Sequence, residues 1–464
     1  MRAFVSRFAK AAPYLGFSST RVTQRYLGTL PKVTTSRSTI PLLPLRQLPT
    51  SGFVKVDKNV DVEEERISDY EAKNYYPVRL GEVFAHKYQV VSKLGFGTNN
   101  TTWLCRDLIG HGFKVMKVFV LAEECFWDFT EEVDVAHHIK GVHKRIDEPC
   151  WYKVDYLSSF GFPEEAFKID GPSGSHTCLI YRPLGTSFTE IQESFPGGKL
   201  PPDLIPYVLQ PVLRSLGFLH ENHVVHADIC ADNLLQTLQD DSFLCEIEEA
   251  ELTSPIARKV LDDREIYYSR KIPIGRGGPT LCQFGHSRII DKNNVTDQIM
   301  DVCNRPPEVI FDADWGNEVD IWGIGMMVWK FATGTDLFLS DYDHFDEVFD
   351  FDAHHLAEMV SIMGPPPLSF LECTHAWETE NWFDEKGNWK GAVPIPEISI
   401  IDKAADLYHG ENKTLFTHFM SKIMTWEHDK RPTVQEIASH EFLRPNGEWF
   451  FQQINLDSEK SRVS

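Results

Sequence analysis

Hydrophobic and polar positions alternate along three consecutive segments near the start of the main body of the chain. Residues 88–94, 101–105 and 113–120 each show the two-residue period of a β-strand, and glycines at 95 and 97 separate the first two segments. The pattern predicts a hairpin with glycines at its tip, followed by a third strand that carries Lys117. Residues 131–139 are predicted to form a helix.

Further along the chain the apolar period changes. Residues 179–185 indicate a buried strand that ends in a break, and apolar residues from 205 to 219 recur with a helical period. Pro211 lies inside that predicted helix and is expected to kink it. A second apolar helix is predicted to begin near Asp320.

The predicted helix at 205–219 leads directly into the segment from His226 to Asn233, which has the spacing HxDxxxxN. The side chain of Asp228 can accept a proton from an attacking hydroxyl, and Asn233 can ligate a metal ion on a transferring phosphate. Taken alone, the pattern fits an ordinary polar turn as well as a catalytic loop.

Composition limits the classes of protein that fit. The 464 residues are 42% hydrophobic and 25% charged, as in a soluble globular protein with one large two-lobed domain or two ordinary ones. The apolar run at 321–329 is too short to cross a bilayer, so we expect no transmembrane segment. Nine scattered cysteines without a CxxC pair argue against a zinc site or a disulfide framework and indicate a reducing compartment.

The formal charge of −22 is distributed unevenly. Residues 1–56 contain nine of the 46 basic residues and no acid, so the remainder carries 37 basic against 68 acidic residues. Such a body should repel nucleic acid and attract basic partners, although an acidic surface that only aids solubility explains the charge equally well. The leader has the composition of either a mitochondrial transit peptide or a disordered basic tail.

Several further motifs lie before and after these elements along the chain. They are the lead-in Tyr75-Tyr76-Pro77-Val78-Arg79-Leu80-Gly81-Glu82-Val83-Phe84, Pro306-Pro307-Glu308, Asp320-Ile321-Trp322, and the stretch from His355-Leu356-Ala357-Glu358-Met359 to Gly364-Pro365-Pro366-Pro367. With them, residues 76–444 resemble the eukaryotic protein kinases, and specifically the SR-protein kinase-like group of serine/threonine kinases. The resemblance implies an α+β, two-lobed fold with a small antiparallel-sheet N-lobe that contains helix C and a larger, mostly helical C-lobe.

The resemblance also implies boundaries along the chain. We expect a basic leader at 1–56, an acidic linker at 57–80, the N-lobe and hinge at 81–185, the C-lobe at 186–446 and a tail at 447–464. An insertion at about 237–279 falls where the family carries its spacer.

Residue by residue, the resemblance makes Asp228 the general base, Lys117 the partner of the ATP phosphates, Glu132 the partner of that lysine and Asn233 a magnesium ligand. Tyr181 would be the gatekeeper beside the hinge. The residues expected to bind the nucleotide are Leu94, Gly95, Gly97, Thr102, Val115, Lys117, Tyr181 and Leu235. Glu308 and Arg431 resemble the structural ion pair of the large lobe, and Asp320 resembles the brace of the catalytic loop.

Two departures from the family pattern affect the chemistry. Gln283-Phe284-Gly285 replaces Asp-Phe-Gly, so a neutral amide stands where a carboxylate would bind magnesium. Cys230 replaces the catalytic-loop lysine that steadies the γ-phosphate. Losing one preorganised charge of this kind costs about 3–4 kcal/mol, or roughly 10² to 10³ in rate.

The ATP site departs from the pattern as well. Asn100 replaces the third glycine of the loop, and Val115 and Thr102 replace the alanine and valine that enclose the adenine. These changes predict weakened binding of ATP and Mg²⁺.

Two interpretations of function remain open, and the sequence does not decide whether the protein is an enzyme. The first is a catalytically impaired pseudokinase that acts as a scaffold or allosteric partner. The second is an active Ser/Thr protein kinase that transfers the ATP γ-phosphate to basic, Arg/Ser-rich proteins. A small-molecule kinase fits less well, because Pro306-Pro307-Glu308 and the Asp320 helix are features of protein kinases.

Partner and location are also predicted from the resemblance. We expect a basic Arg/Ser-rich protein or peptide as partner, no direct nucleic-acid contact and a monomer. The hypothesis for its docking site is an acidic cluster formed by Asp341, Asp343, Asp346, Glu347, Asp350 and Asp352, although a solvated acidic loop explains the cluster equally well. The family indicates the cytoplasm or nucleus, whereas the basic leader indicates mitochondria.

Overall fold

The computed structural model describes residues 42–67, 69–121, 129–145, 156–290, 298–338, 348–374, 376–391, 393–397 and 408–444. Most of the basic leader, the C-terminal tail and four of the six residues of the acidic cluster lie outside these residues, so the expectations for them stay predictions. Among the helices that the structure describes, none is long and apolar enough to cross a membrane.

Thirteen strands occur in the described residues. In chain order they are β1 (Lys55–Val56), β2 (Val83–Phe84), β3 (Tyr88–Phe96), β4 (Asn100–Asp107), β5 (Gly112–Leu121), β6 (Glu165–Asp170), β7 (Ser175–Tyr181), β8 (Val224–Val225), β9 (Leu234–Gln236), β10 (Arg258–Val260), β11 (Glu265–Tyr267), β12 (Pro279–Leu281) and β13 (Arg288–Ile289).

The α-helices of the described residues are mostly in the second half of the chain. They span Phe129–Arg145, Phe188–Glu193, Leu204–Glu221, Ser242–Thr253, Pro307–Ile310, Glu318–Thr333, Val348–Met363, Leu368–Glu372, Ala376–Trp382, Glu411–Ile423 and Val434–Ala438. The predicted helix at 205–219 is the central part of Leu204–Glu221, which continues through Pro211.

Contacts divide the chain into two compact units. The first comprises Met1–Cys125, Glu164–Pro183 and Asp240–Ile272, and the second comprises Phe126–Pro163, Leu184–Gln239 and Pro273–Ser464. The two units do not coincide with the lobes expected from the sequence, whose boundaries stay predictions. Helix Phe129–Arg145 belongs to the second unit, and most of the insertion belongs to the first unit instead of the C-lobe.

The first unit contains a six-stranded antiparallel sheet in the order β2-β3-β4-β5-β7-β6. The predicted strands at 88–94, 101–105 and 113–120 lie within β3, β4 and β5, whereas the strand predicted at 179–185 ends at Tyr181. One face of the sheet is a packed core, in which Trp103, Met116 and Ile180 are opposite one another on adjacent strands and are all buried. The two-residue period of these strands therefore separates this core face from an opposite face, on which Thr102, Val115 and Lys117 are only partly buried.

The insertion forms structure of its own within the first unit. Its helix Ser242–Thr253 precedes strands β10 and β11, and β10 pairs in parallel with β1, which lies at the end of the segment expected to be the basic leader. Tyr267 of β11 is buried in the core of the six-stranded sheet, where its ring meets that of Trp103 edge-on at 5.8 Å. The insertion thus completes the core of this unit.

Buried ion pairs fix the acidic segment at 63–65 to the same unit. Lys93 of β3 is fully buried, and its ammonium group is hydrogen-bonded to Glu64 and lies 3.6 Å from Glu63. Glu65 pairs with Lys259 of the insertion at 2.7 Å. Because a buried charge without a counter-charge is strongly destabilising, these pairs hold the segment in place.

The second unit contains one large apolar core. Helices Leu204–Glu221 and Glu318–Thr333 contribute many of its residues, including the fully buried Trp322 and Trp329. The side chains of Glu308 and Arg431 are fully buried and form an ion pair with two hydrogen bonds, with N–O distances of 2.5 and 2.7 Å. This pair ties two segments 123 residues apart in sequence and has the geometry expected of the structural ion pair.

Replacing Lys93 by alanine should destabilise the first unit, because Glu63 and Glu64 would lose their shared counter-charge. Breaking one partner of a buried pair costs about 3–5 kcal/mol, which should lower the melting temperature of the full chain by roughly 6 °C or more. Lys58→Ala is the matched control, since the Lys58–Asp262 pair is exposed and should shift it by about 1 °C at most. Equal shifts in both variants would contradict this account.

Candidate active site

The loop with the HxDxxxxN pattern is held by the carboxylate of Asp320. This side chain is fully buried in the first turn of helix Glu318–Thr333 and accepts hydrogen bonds from the backbone amides of His226 (2.9 Å) and Ala227 (2.7 Å). It also lies 2.8 Å from Nε2 of His220. Asp320 therefore occupies the bracing position that the sequence predicted, and its bonds support Ala227 at a positive φ of 63°.

Asp228 and Asn233 face each other across this loop. The side-chain amide nitrogen of Asn233 donates to the backbone oxygen of Asp228 at 2.8 Å and to its carboxylate Oδ2 at 2.7 Å. With its nitrogen engaged in this way, Asn233 can offer its oxygen to a metal ion. The two side chains are thus arranged as a base and an adjacent neutral ligand.

The environment of Asp228 makes its carboxylate more basic than usual. Burial raises the pKa of Asp228 to about 6, the bond from Asn233 lowers it, and the nearby carboxylates of Asp301, Asp232 and Asp320 raise it. A pKa of about 6 leaves the group mostly ionised at pH 7 and able to accept a proton.

Cys230 contributes no positive charge to the loop. Burial, with the neighbouring charges of Asp228 and Asp232, raises the pKa of the Cys230 thiol well above its usual value. The side chain is therefore a neutral thiol at pH 7, and it cannot stabilise the charge that develops on a transferred phosphoryl group.

Gln283 is exposed, whereas its neighbours Cys282 and Phe284 are buried. Phe284 is fully buried against Phe162 (4.5 Å between ring centroids) and His226 (4.8 Å), while Nε2 of His226 lies 3.0 Å from the backbone oxygen of Cys282. Gln283 itself has left-handed backbone angles, with φ 67° and ψ 65°. The segment keeps an ordered, strained geometry, but a neutral amide occupies its first position.

The donor atoms at the two positions expected to bind magnesium, Asn233 and Gln283, suit that ion poorly. Magnesium prefers carboxylate oxygens and phosphates, whereas Asn233 and Gln283 offer amide oxygens. In the described part of the chain, no group of three or more His, Cys, Asp or Glu side chains could hold a metal ion. Asn233 could contact a metal that arrives with a nucleotide, and position 283 supplies no carboxylate ligand.

In the first unit, the predicted nucleotide-binding residues share one face of the sheet. Strand register puts Thr102 opposite both Gly95 and Lys117, and Val115 opposite Tyr181. Residues directly opposite in antiparallel strands point to the same side, and so do residues two apart along a strand. The five residues therefore lie together on the face that the core does not use.

The remaining predicted binding residues flank this face or belong to the other unit. Leu94 lies at a register shift of β3, and Gly97 follows the end of that strand. Leu235 is in β9 of the second unit. A pocket that both groups share stays a prediction.

The lysine and glutamate predicted to pair also belong to different units. The ammonium group of Lys117 lies 4.9 Å from the centre of the Tyr181 ring, within the first unit. Glu132 is buried in helix Phe129–Arg145 of the second unit. Their pairing stays a prediction.

Residues 88–443 match the family described as the protein kinase domain. The chain belongs to the protein kinase family. It is 36% identical to a serine/threonine protein kinase of Aspergillus fumigatus over 86% of this chain and 95% of that protein. The Physarum polycephalum serine/threonine-protein kinase SRPK is 26% identical over 82% and 92%, and protein kinase dsk1 of Schizosaccharomyces pombe is 27% identical over 85% and 87%.

A solved structure shows the same fold. The crystal structure of a kinase domain matches 81% of this chain and all of that chain, with a TM-score of 0.57 and 20% identity. The predicted α+β protein kinase fold is confirmed, and so is the resemblance to SR-protein kinase-like enzymes.

Sequence reasoning missed two residues of this kinase-family site. His220 lies six positions before the catalytic loop and contacts Asp320, and Tyr75 contacts the glycine-containing turn from 22 residues away in sequence. The helical period of the apolar residues gave no signal for His220. Tyr75 was noted only as part of the lead-in motif, because no spacing rule connects a single tyrosine with a distant turn.

The raised pKa of Asp228 predicts a pH-dependent stability difference between the wild type and Asp228→Asn. A carboxyl whose folded-state pKa is raised favours folding most when protonated, so its contribution is full below pH 4 and is lost as pH rises through about 6. The wild type should therefore lose up to about 3 kcal/mol relative to the variant between pH 4 and pH 7. Melting temperatures measured across this range test it, and a difference that does not change with pH would contradict it.

Proposed function

We propose that this protein kinase-family chain binds ATP and transfers its γ-phosphate very slowly, so that it acts as a pseudokinase whose role is to bind a partner. The observation that carries the proposal is the exposed Gln283 amide at the position from which a carboxylate would hold magnesium. Because the kinase fold is kept while the metal site is weakened, a role in binding a partner is favoured over phosphoryl transfer.

The loss of charge at Gln283 and at Cys230 acts on the same step. A magnesium ion bridging the β- and γ-phosphates, and a lysine at the γ-phosphate, both neutralise charge during transfer. Here an amide and a neutral thiol stand at those positions. Each loss is expected to cost about 10² to 10³ in rate, although the two need not add.

Nucleotide binding depends on other residues. The shared face of Gly95, Thr102, Val115, Lys117 and Tyr181 supports it, because it combines a cation for phosphate with apolar and polar side chains for the base. Protein kinase domains in general bind ATP with magnesium. We expect ATP to bind with reduced dependence on the metal.

The second candidate is an active Ser/Thr protein kinase. The intact bonds of Asp228, Asn233 and Asp320 favour it, since the general base keeps its position and an ionised carboxylate at pH 7. The similar Aspergillus fumigatus protein is described as a serine/threonine protein kinase. In this case Asn233 would carry the metal without help from Gln283.

In either case we propose a basic Arg/Ser-rich protein as partner. The SR-protein kinases among the relatives support this choice, and so does the net charge of −22. Charge complementarity would supply the attraction. An Arg/Ser-rich peptide that binds no more tightly than the same peptide with its arginines changed to glutamine would contradict it.

Transfer of the ATP γ-phosphate to the Arg/Ser-rich peptide separates the two candidates. The double variant Gln283→Asp with Cys230→Lys should transfer at least about 10²-fold faster than the wild type, because it restores both charges. The combination Gln283→Asn with Cys230→Lys is the matched control, since asparagine has the shape of aspartate without its charge.

Either of two results would overturn the pseudokinase proposal. Turnover by the wild type as fast as that of the charged double variant, and lost in Asp228→Asn, would establish an active kinase. No gain in the charged double variant over its Gln283→Asn counterpart would refute the mechanism of impairment.

A further inference from the structure

The turn between β3 and β4 is held from one side by a tyrosine hydroxyl. The hydroxyl of Tyr75 lies 2.8 Å from the backbone oxygen of Thr98 and 3.2 Å from that of Gly97. Tyr75 is only 7% exposed, so its ring is buried and its hydroxyl is aimed at the turn. A phenol has one proton to donate, which the two oxygens share.

Peptide planarity fixes where the amides of the same turn point. In a trans peptide the carbonyl of one residue and the N–H of the next are in one plane and point in opposite directions, and the described residues contain no cis peptide. With the oxygens of Gly97 and Thr98 directed at Tyr75, the N–H groups of Thr98 and Asn99 are directed away from it. None of the hydrogen bonds described for residues 69–121 uses these two amides. Adjacent, unused backbone donors form a binding site for an anion.

The position of Tyr75 is itself fixed from two sides. Its ring lies 5.0 Å from that of Tyr70, and its backbone oxygen accepts a hydrogen bond from Arg264 Nη1 at 3.3 Å. Arg264 belongs to the insertion and also donates to the backbone oxygen of Ala72. The hydroxyl is therefore presented to the turn by a rigid support.

We propose that Tyr75 is a positioning residue for a nucleotide phosphate. Its hydroxyl holds the oxygens of Gly97 and Thr98, and this orients the amides of Thr98 and Asn99 as donors to the phosphate. The inference rests on the proposed nucleotide binding and extends it by naming the group that preorganises the phosphate-binding turn. Preorganised donors bind more tightly because less conformational freedom is lost on binding.

Affinities for ATP and for adenosine, measured by calorimetry on the full chain, test the proposal. Tyr75→Phe removes the hydroxyl and keeps the ring, so ATP should bind about 5-fold more weakly, the effect of one hydrogen bond of about 1 kcal/mol. Adenosine has no phosphate, and its affinity should not change. Tyr76→Phe is the matched control, because the hydroxyl of Tyr76 donates to Glu82 at 2.9 Å and not to the turn.

Hydrogen exchange provides a second readout that needs no nucleotide. The amides of Gly97 and Val120 donate to the backbone oxygens of Asn100 and Asn99 at 2.8 and 2.9 Å. They should exchange faster in Tyr75→Phe than in the wild type or in Tyr76→Phe, because the turn that these bonds close loses its support. A purely structural role of the tyrosine ring would leave both readouts unchanged in the phenylalanine variant.

The outcomes distinguish this inference from the proposed function. If the wild type binds ATP and Tyr75→Phe weakens ATP and adenosine equally, or neither of them, the role of Tyr75 is refuted while nucleotide binding stands. If the wild type binds neither compound, nucleotide binding itself fails and the role of Tyr75 in it fails too. A loss confined to ATP, together with faster exchange at the turn, supports the proposal.

Discussion

The buried carboxylate of Asp320 is the interaction on which the second unit's site depends. It accepts hydrogen bonds from two backbone amides of the loop and contacts His220. These bonds offset the free-energy cost of burying the carboxylate, and they support the positive φ of Ala227. Through His226, the same loop reaches the backbone of Cys282 and the ring of Phe284. One charged side chain thus fixes the loop that carries Asp228 and Asn233, the proposed base and metal ligand.

The residues that hold the site in shape differ from those at the positions that would take part in phosphoryl transfer. The residues that hold the site, such as Asp320, Phe284 and the Glu308–Arg431 pair, are buried and fully engaged. The positions that would supply charge to a transferring phosphate hold Gln283 and Cys230. Because the fold draws its stability from the first group, it tolerates changes in the second, and an ordered catalytic loop does not by itself imply catalysis.

Much of the fold was predictable from periodicity, and the identity of the site from motif order. The strands around Lys117 and the helix leading to Asp228 follow local patterns of two and 3.6 residues. The roles of the acidic segment and the insertion did not follow, because they depend on partners distant in sequence: Lys93 meets Glu64 across 29 positions and Lys259 meets Glu65 across 194. From sequence alone, the glutamates at 63–65 have the composition of a solvated linker. Their pairing with the buried Lys93 and Lys259 depends on the tertiary structure, which local patterns do not specify.

The dependence of ATP affinity on magnesium tests most directly whether Gln283 impairs the metal site. ATP binding is measured by calorimetry with and without Mg²⁺ in the wild type, in Gln283→Asp and in the uncharged control Gln283→Asn. A restored charged ligand contributes about 1.5–3 kcal/mol, so magnesium should strengthen ATP binding by roughly tenfold or more in Gln283→Asp and only slightly in the other two proteins. A wild type in which magnesium strengthens ATP binding as much as it does in Gln283→Asp would contradict the central claim.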